Sequence, residues 1–189
     1  MSTYKKNIDL LTKNNVYSKE MEHDACGVGL IASTEGKKSR EVVEYGIEAL
    51  KAVWHRGAVD ADGKTGDGAG IHLEIPKDFF VEKIEVTGHT HDGSDICVGM
   101  IFLPRNDYAS QESCKTIVES ELTKNDFSIY GWRQVPVNPK VLGEKALQTM
   151  PEIIQVLFKA NNKNLLDKDL ERKIYETRKK IENKAFNLS

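Results

Sequence analysis

The chain has 189 residues, 39% of them hydrophobic and 30% charged, which is enough apolar material for one globular core and too much for a disordered tail. Its 27 basic residues against 29 acidic ones leave a formal net charge of -2, so no excess positive field exists to hold a phosphate backbone or an anionic membrane, and neither is expected as a partner. Three cysteines, Cys26, Cys97 and Cys114, are an odd number without CxxC spacing, which argues against a disulfide framework or a structural zinc site and for free thiols. No apolar run reaches signal-peptide or membrane-spanning length, so a cytoplasmic protein is expected.

Residues 1–25 are polar and lack a sustained apolar period, and a boundary is placed before Cys26, where CGVGLIAS reads as a short strand. Ser39 is a candidate N-cap for a helix carrying Val43, Ile47, Leu50 and Trp54 on one face and ending at His55-Arg56-Gly57. The stretch AVDADGKTGDGAG is too rich in Gly and Asp for regular structure, whereas IHLEIP alternates as a half-buried strand does. Pro76 opens a short helical turn through PKDFFVEK, followed by an exposed connection from Thr87 to Asp95. A buried strand ICVGMIFLP comes next, then a helix from Ser110 to Lys124 with Cys114, Ile117, Val118 and Leu122 inward, and a strand near FSIYGWRQV. A turn at VLGEKALQ leads to the strand EIIQVLFKA, and the last helix places Leu166, Leu170, Ile174 and Ile181 on one face. The order predicts an α+β layered fold, with the strand order left open.

Cys26 sits between Ala25 and Gly27, small neighbours that let a reagent approach the backbone closely. On spacing alone the bland reading prevails, because a lone Cys in an apolar segment is more often an inert core residue than a nucleophile. Three other motifs fail on their own residues. A phosphate-binding loop needs Gly where Ala58 stands, an EF-hand needs an oxygen ligand and a Gly where Lys64 and Thr65 stand, and His89, His91 and Asp92 lie in a polar loop without further ligands. No metal is assigned.

The blocks HDACGVGLIAS and IEALKAVWHRGAVDADGKTGDGAGIHLEIPKDFF, with VGMIFLPR, YGWRQVPVNPKVLG, MPEIIQVLF and ERKIYETRKKIE further on, resemble the N-terminal class II glutamine amidotransferase domain of the glutamate synthase large-subunit family. The resemblance runs from about Glu22 to near the end of the chain. It implies the front part of a four-layer αββα sandwich of the N-terminal-nucleophile hydrolase type over 26–189, and a propeptide over 1–25. Cys26 is then the nucleophile, exposed as residue one by removal of that propeptide. His55, Arg56 and Gly57 match an HRG motif near the nucleophile in related amidotransferases, and Asp67 lies in the signature loop TGDGAG, where it could anchor a turn. A helix-terminal arginine capping its last carbonyls is the rival account of Arg56.

The implied substrate is L-glutamine, with ammonia passed to 2-oxoglutarate, and the implied partners are the rest of the large subunit and its small subunit. FMN and an iron–sulfur cluster are implied for the complete enzyme and no cofactor for this segment. The family's Asn-Gly oxyanion hole and carboxylate-binding arginine do not occur in these residues, so a truncated chain, and a poor enzyme by itself, is expected. Two alternatives remain at this point: an amidotransferase with another acceptor, such as a sugar phosphate, and an inactive fragment or noncatalytic interaction module.

Overall fold

The computed structural model describes residues 3–13 and 27–188. They fall into two compact units, one within Met1–Asp60 and Gly66–Ile71, the other comprising Ala61–Thr65 and His72–Ser189.

In the first unit, α1 spans Thr3–Lys13, a helix in a segment whose polarity gave no periodic signal; Leu10 is exposed. Residues 27–33 are irregular, and Val28 and Leu30 are almost fully exposed, so the strand expected at CGVGLIAS is absent from its described part. An apolar run becomes a strand only when a second strand meets its backbone groups, and no ladder forms here. α2 covers Arg40–Ala52 and begins as its residues dictate: extended Ser39 accepts the Val42 N–H at its hydroxyl, satisfying one of the first-turn donors. Arg40 pairs with Glu44 one turn on, and Val43, Ile47 and Leu50 form the half-buried face. Gly46 lets this helix approach Ile71, whose Cδ1 lies 3.1 Å from where a Cβ would stand. Trp54 departs from the expected face. The α-helix stops at Ala52, a 3-10 turn Trp54–Arg56 follows, and the tighter winding leaves the indole exposed.

The second unit is built on a sheet of three strands among the described residues, β1 (Cys97–Leu103), β2 (Phe127–Gln134) and β3 (Glu152–Ala160), in the order β1-β3-β2 and antiparallel throughout. β3 is central, and its run from Ile154 to Phe158 is buried on both sides. The helix α3 (Lys77–Val86) covers one face, placing Phe80 and Ile84 against Ile96, Tyr130 and Leu157. On the other face α4 (Tyr108–Lys124) and α6 (Asp167–Phe186) pack Val118, Leu122, Leu170, Ile174 and Ile181 against Cys97, Phe127, Val156 and Phe158. Each fully buried Leu or Ile contributes about 1.5–3 kcal/mol relative to exposure, and Leu157 and Ile84 have no exposed surface. The short helix α5 (Glu144–Thr149) precedes β3.

Three further details bear on the sequence expectations. α4 starts earlier than Ser110 because Asp107 caps it, accepting the Ser110 N–H at 3.0 Å and the Ser110 hydroxyl at 2.6 Å. Leu166 is the exposed N-cap of α6 and not part of its inward face. IHLEIP forms no strand: Ile71, Leu73 and Ile75 each stay partly exposed, their period of two present without a partner ladder. The α+β class holds as a small antiparallel sheet with helices on both faces.

Within β2 the register slips between Ile129 and Gly131, a bulge that leaves Tyr130 without a partner in the ladder. Gly131 takes φ 149°, and a Cβ there would lie 2.9 Å from Cγ2 of Thr87, whose hydroxyl donates to the Tyr130 carbonyl at 2.9 Å. The bulge thus turns the Tyr130 ring into the α3-side core and ties it to the end of α3.

Candidate active site

The residues singled out by sequence fall mainly after α2. His55 and the backbone of Arg56 lie in the 3-10 turn, which Gly57 closes by donating its N–H to the Trp54 carbonyl at 3.0 Å; His55 and Gly57 are exposed. Gly57 has φ -87° and ψ 146°, extended backbone that any residue adopts. The chain then leaves Ala58 and returns. Val59 and Gly66 form an isolated antiparallel bridge, and Asp67 Oδ2 accepts the Ala58 N–H at 2.9 Å. That bond brings Asp67 beside the end of the His55-Arg56-Gly57 run and closes the intervening loop, as an Asx side chain does in a tight turn. Cys26 lies outside the described residues; the residues after it, Gly27–Leu30, are exposed.

The loop tip, Ala61–Thr65, packs within the second unit. Asp62 Oδ1 accepts the N–H groups of Lys64 and Thr65 at 2.9 and 2.7 Å, and Oδ2 accepts the Thr65 hydroxyl at 2.6 Å. The Thr65 hydroxyl, the N–H groups of Thr65 and Lys64, and the Glu144 N–H at the start of α5 together hold the Asp62 carboxyl well below the usual carboxylate range. Sequence reading passed over Asp62 because it treated the Gly/Asp-rich run as one irregular loop. Its signal was the spacing Asp-x-x-Thr, in which an aspartate caps a turn two and three residues on.

The His89, His91 and Asp92 group is engaged within the protein. Asp92 Oδ2 pairs with Lys159 at 2.8 Å and Lys163 at 3.0 Å, His91 Nε2 lies 2.8 Å from the Ser94 carbonyl, and His89 Nδ1 lies 3.2 Å from the Thr87 hydroxyl. Among the described residues no group of three or more His, Cys, Asp or Glu is placed to hold a metal ion. Cys97 and Cys114 are free; burial pushes the Cys97 thiol up to about 12. No helix among the described residues is long and apolar enough to cross a membrane.

Comparison with known proteins gives these residues a context. The sequence profile of the class-II glutamine amidotransferases matches residues 26–189, most of the chain, beginning at Cys26 itself. The chain belongs to that family. Among its relatives, the glutamate synthase [NADPH] large chain of Azospirillum brasilense is 52% identical over 182 residues, covering 96% of this chain and 12% of that protein. The ferredoxin-dependent glutamate synthase 1 of Arabidopsis thaliana is 42% identical over 162 residues, covering 85% and 10% respectively. The ferredoxin-dependent glutamate synthase of Pyropia yezoensis is 38% identical over 175 residues, covering 92% and 11%. The chain therefore spans about a tenth of the length of these relatives. In this amidotransferase the Ala58–Asp67 closure lies within the matched region, directly after the His55-Arg56-Gly57 turn.

Proposed function

We propose that this chain is the glutaminase portion of a glutamate synthase, hydrolysing L-glutamine to glutamate and ammonia with Cys26 as nucleophile. The observation that carries the reading is the family match that starts at Cys26, the cysteine of DACGVG. Removal of residues 1–25 would convert the Cys26 amide nitrogen into an α-amine with an ordinary pKa of about 7.7–8.0, a base matched to neutral pH. That amine takes the thiol proton, directly or through water, while Sγ bonds to the side-chain amide carbon of glutamine. The proton passes to the departing nitrogen, the C–N bond breaks, and ammonia leaves a glutamyl thioester. Water then adds to the thioester carbon, freeing glutamate and restoring the thiol.

His55, Arg56 and Gly57 would support the site, the guanidinium as a rigid fork of donors for carboxylate or carbonyl oxygens, and Asp67 would hold the loop that follows them. The finer architecture is the four-layer αββα sandwich, of which the described sheet would be one layer. The glutamate synthase relatives favour 2-oxoglutarate over a sugar phosphate as the ammonia acceptor. FMN and the iron–sulfur cluster would belong to other parts of the complete enzyme, as would contacts with the remainder of the large subunit and the small subunit, in the cytoplasm. The test is Cys26→Ala and Cys26→Ser in the protein as its own gene encodes it, with both nitrogen sources assayed. Glutamine-dependent glutamate formation should fall to background while ammonia-dependent formation persists; undiminished use of glutamine would remove Cys26 as the nucleophile.

A further inference from the structure

Asp62 and Gly143 are far apart in sequence and meet at the start of α5. Gly143 is the N-cap of that helix, with φ -74° and ψ 165°, so its backbone makes no demand for glycine. The space does. A Cβ on Gly143 would lie 2.6 Å from the Thr65 nitrogen, and closer still to Thr65 Oγ1 and Asp62 Oδ2, so the turn at 62–65 rests directly on the Gly143 backbone. Asp62 fills this contact with acceptors, taking the Lys64 and Thr65 N–H groups and the Thr65 hydroxyl. Thr65 is the first residue of the signature run TGDGAG, and two residues later Asp67 makes its own bond to Ala58.

We propose that Asp62 is a positioning residue for glutamine hydrolysis, fixing the turn at 62–65, which leads into the signature run, against the backbone at Gly143. The proposal rests on the glutaminase reading above. An exposed carboxylate adds little to global stability, so engagement of both its oxygens by three donors acts on geometry. Geometry of this kind matters to catalysis, because a small displacement is amplified in rate even when its cause lies away from the reacting atoms. An ionised Asp meets the need better than Asn, whose amide nitrogen cannot accept the Thr65 hydroxyl hydrogen that Oδ2 accepts. A residue larger than Gly at 143 would push the turn off α5 even with Asp62 intact.

The test uses the protein as its own gene encodes it, with Asp62→Ala, Asp62→Asn, Gly143→Ala, Thr65→Val and Thr65→Ser. Three quantities are measured: kcat and KM for glutamine hydrolysis, the ratio of Cys26 modification rates by a diazoketone analogue of glutamine and by iodoacetamide, and the melting temperature. Asp62→Ala and Gly143→Ala should lower kcat/KM by on the order of a hundredfold. Both should also lower the ratio of the two modification rates, Asp62→Ala with little change in melting temperature. Asp62→Asn should fall between Asp62→Ala and the parent, and Thr65→Ser should keep the activity that Thr65→Val loses. Parental kcat/KM in Asp62→Ala and Gly143→Ala would overturn the proposal, as would a joint fall of both modification rates and the melting temperature, which would make Asp62 a stability residue. A Cys26→Ala control separates the two readings: surviving turnover there refutes the glutaminase assignment itself, whereas its loss beside fully active Asp62 variants refutes the positioning role alone.

Discussion

Lys184, in the last turn of α6, places its ammonium 2.5 Å from Oε1 of Glu121 on α4, and Glu121 is buried. Lys124 approaches the same oxygen at 3.6 Å. The ion pair ties together two helices that share one face of the sheet. The hydrogen bond from Lys184 holds the Glu121 carboxyl below its ordinary value of 4.5. A depressed carboxylate contributes stability that is fully present above the unfolded value and is lost as acid protonates the folded form. Lys184→Met should therefore lower the urea midpoint near neutral pH and flatten its decline in acid. Equal acid sensitivity in the two proteins would assign the decline to other carboxylates.

Gly131 and Thr87 make a second testable contact. Gly131→Ala introduces a side chain at φ 149° and at 2.9 Å from the Thr87 methyl, so a loss of about 1–3 kcal/mol is expected. Thr87→Ser removes the methyl and keeps the hydroxyl that donates to the Tyr130 carbonyl. In the double variant the share due to the methyl should return, while the share from the Thr87 Cβ, 3.0 Å from the new Cβ, and the backbone share should remain. A double-mutant cycle by denaturant unfolding reads the two shares directly, and strict additivity would show that the methyl contact is not the obstacle.

Cys97 is buried in the sheet, and its thiol, pushed up to about 12 chiefly by desolvation, stays protonated through the neutral range. Native protein treated with iodoacetamide should carry label on half-exposed Cys114 before Cys97, which should react only after unfolding. Peptide mass spectrometry at increasing times decides this, and early labelling of Cys97 would mean that the β1 edge opens readily.

If the α-amine of Cys26 is the base, the active protein begins at Cys26. Intact mass and N-terminal sequencing of the most active preparation should find Met1–Ala25 removed. Full glutaminase activity with that segment attached would require a different base.

Much of the second unit was legible in the sequence because its signals coincide with its packing. EIIQVLFKA is apolar on both sides and becomes the central strand, and Leu170, Ile174 and Ile181 repeat at helical spacing and meet the sheet. Ser39 likewise announced α2. The failures lie where one periodicity serves two outcomes. Ile71, Leu73 and Ile75 alternate like a strand, but alternation says which side is apolar and not whether a partner backbone is present. Trp54 continued the α2 face only if the helix kept its pitch, and the 3-10 turn broke it. The bond from Ala58 to Asp67 joins residues inside one Gly/Asp-rich run, where turn chemistry was visible but its pairing was not. The meeting of Asp62 with Gly143 depends on tertiary contact, which local spacing does not record.

The central place of β3 also sets the order of events during synthesis. Among the described residues β1 and β2 do not pair with each other, and each pairs with β3, the last of the three strands to be made. At roughly 5–20 residues per second, β1 waits several seconds on the ribosome before the strand that completes it emerges. During that interval α4 can wind on local contacts alone, but Phe127 and Cys97 have no sheet to enter. Until residues 152–160 are released, the apolar faces of β1 and β2 lack their partner strand and stay open to other chains.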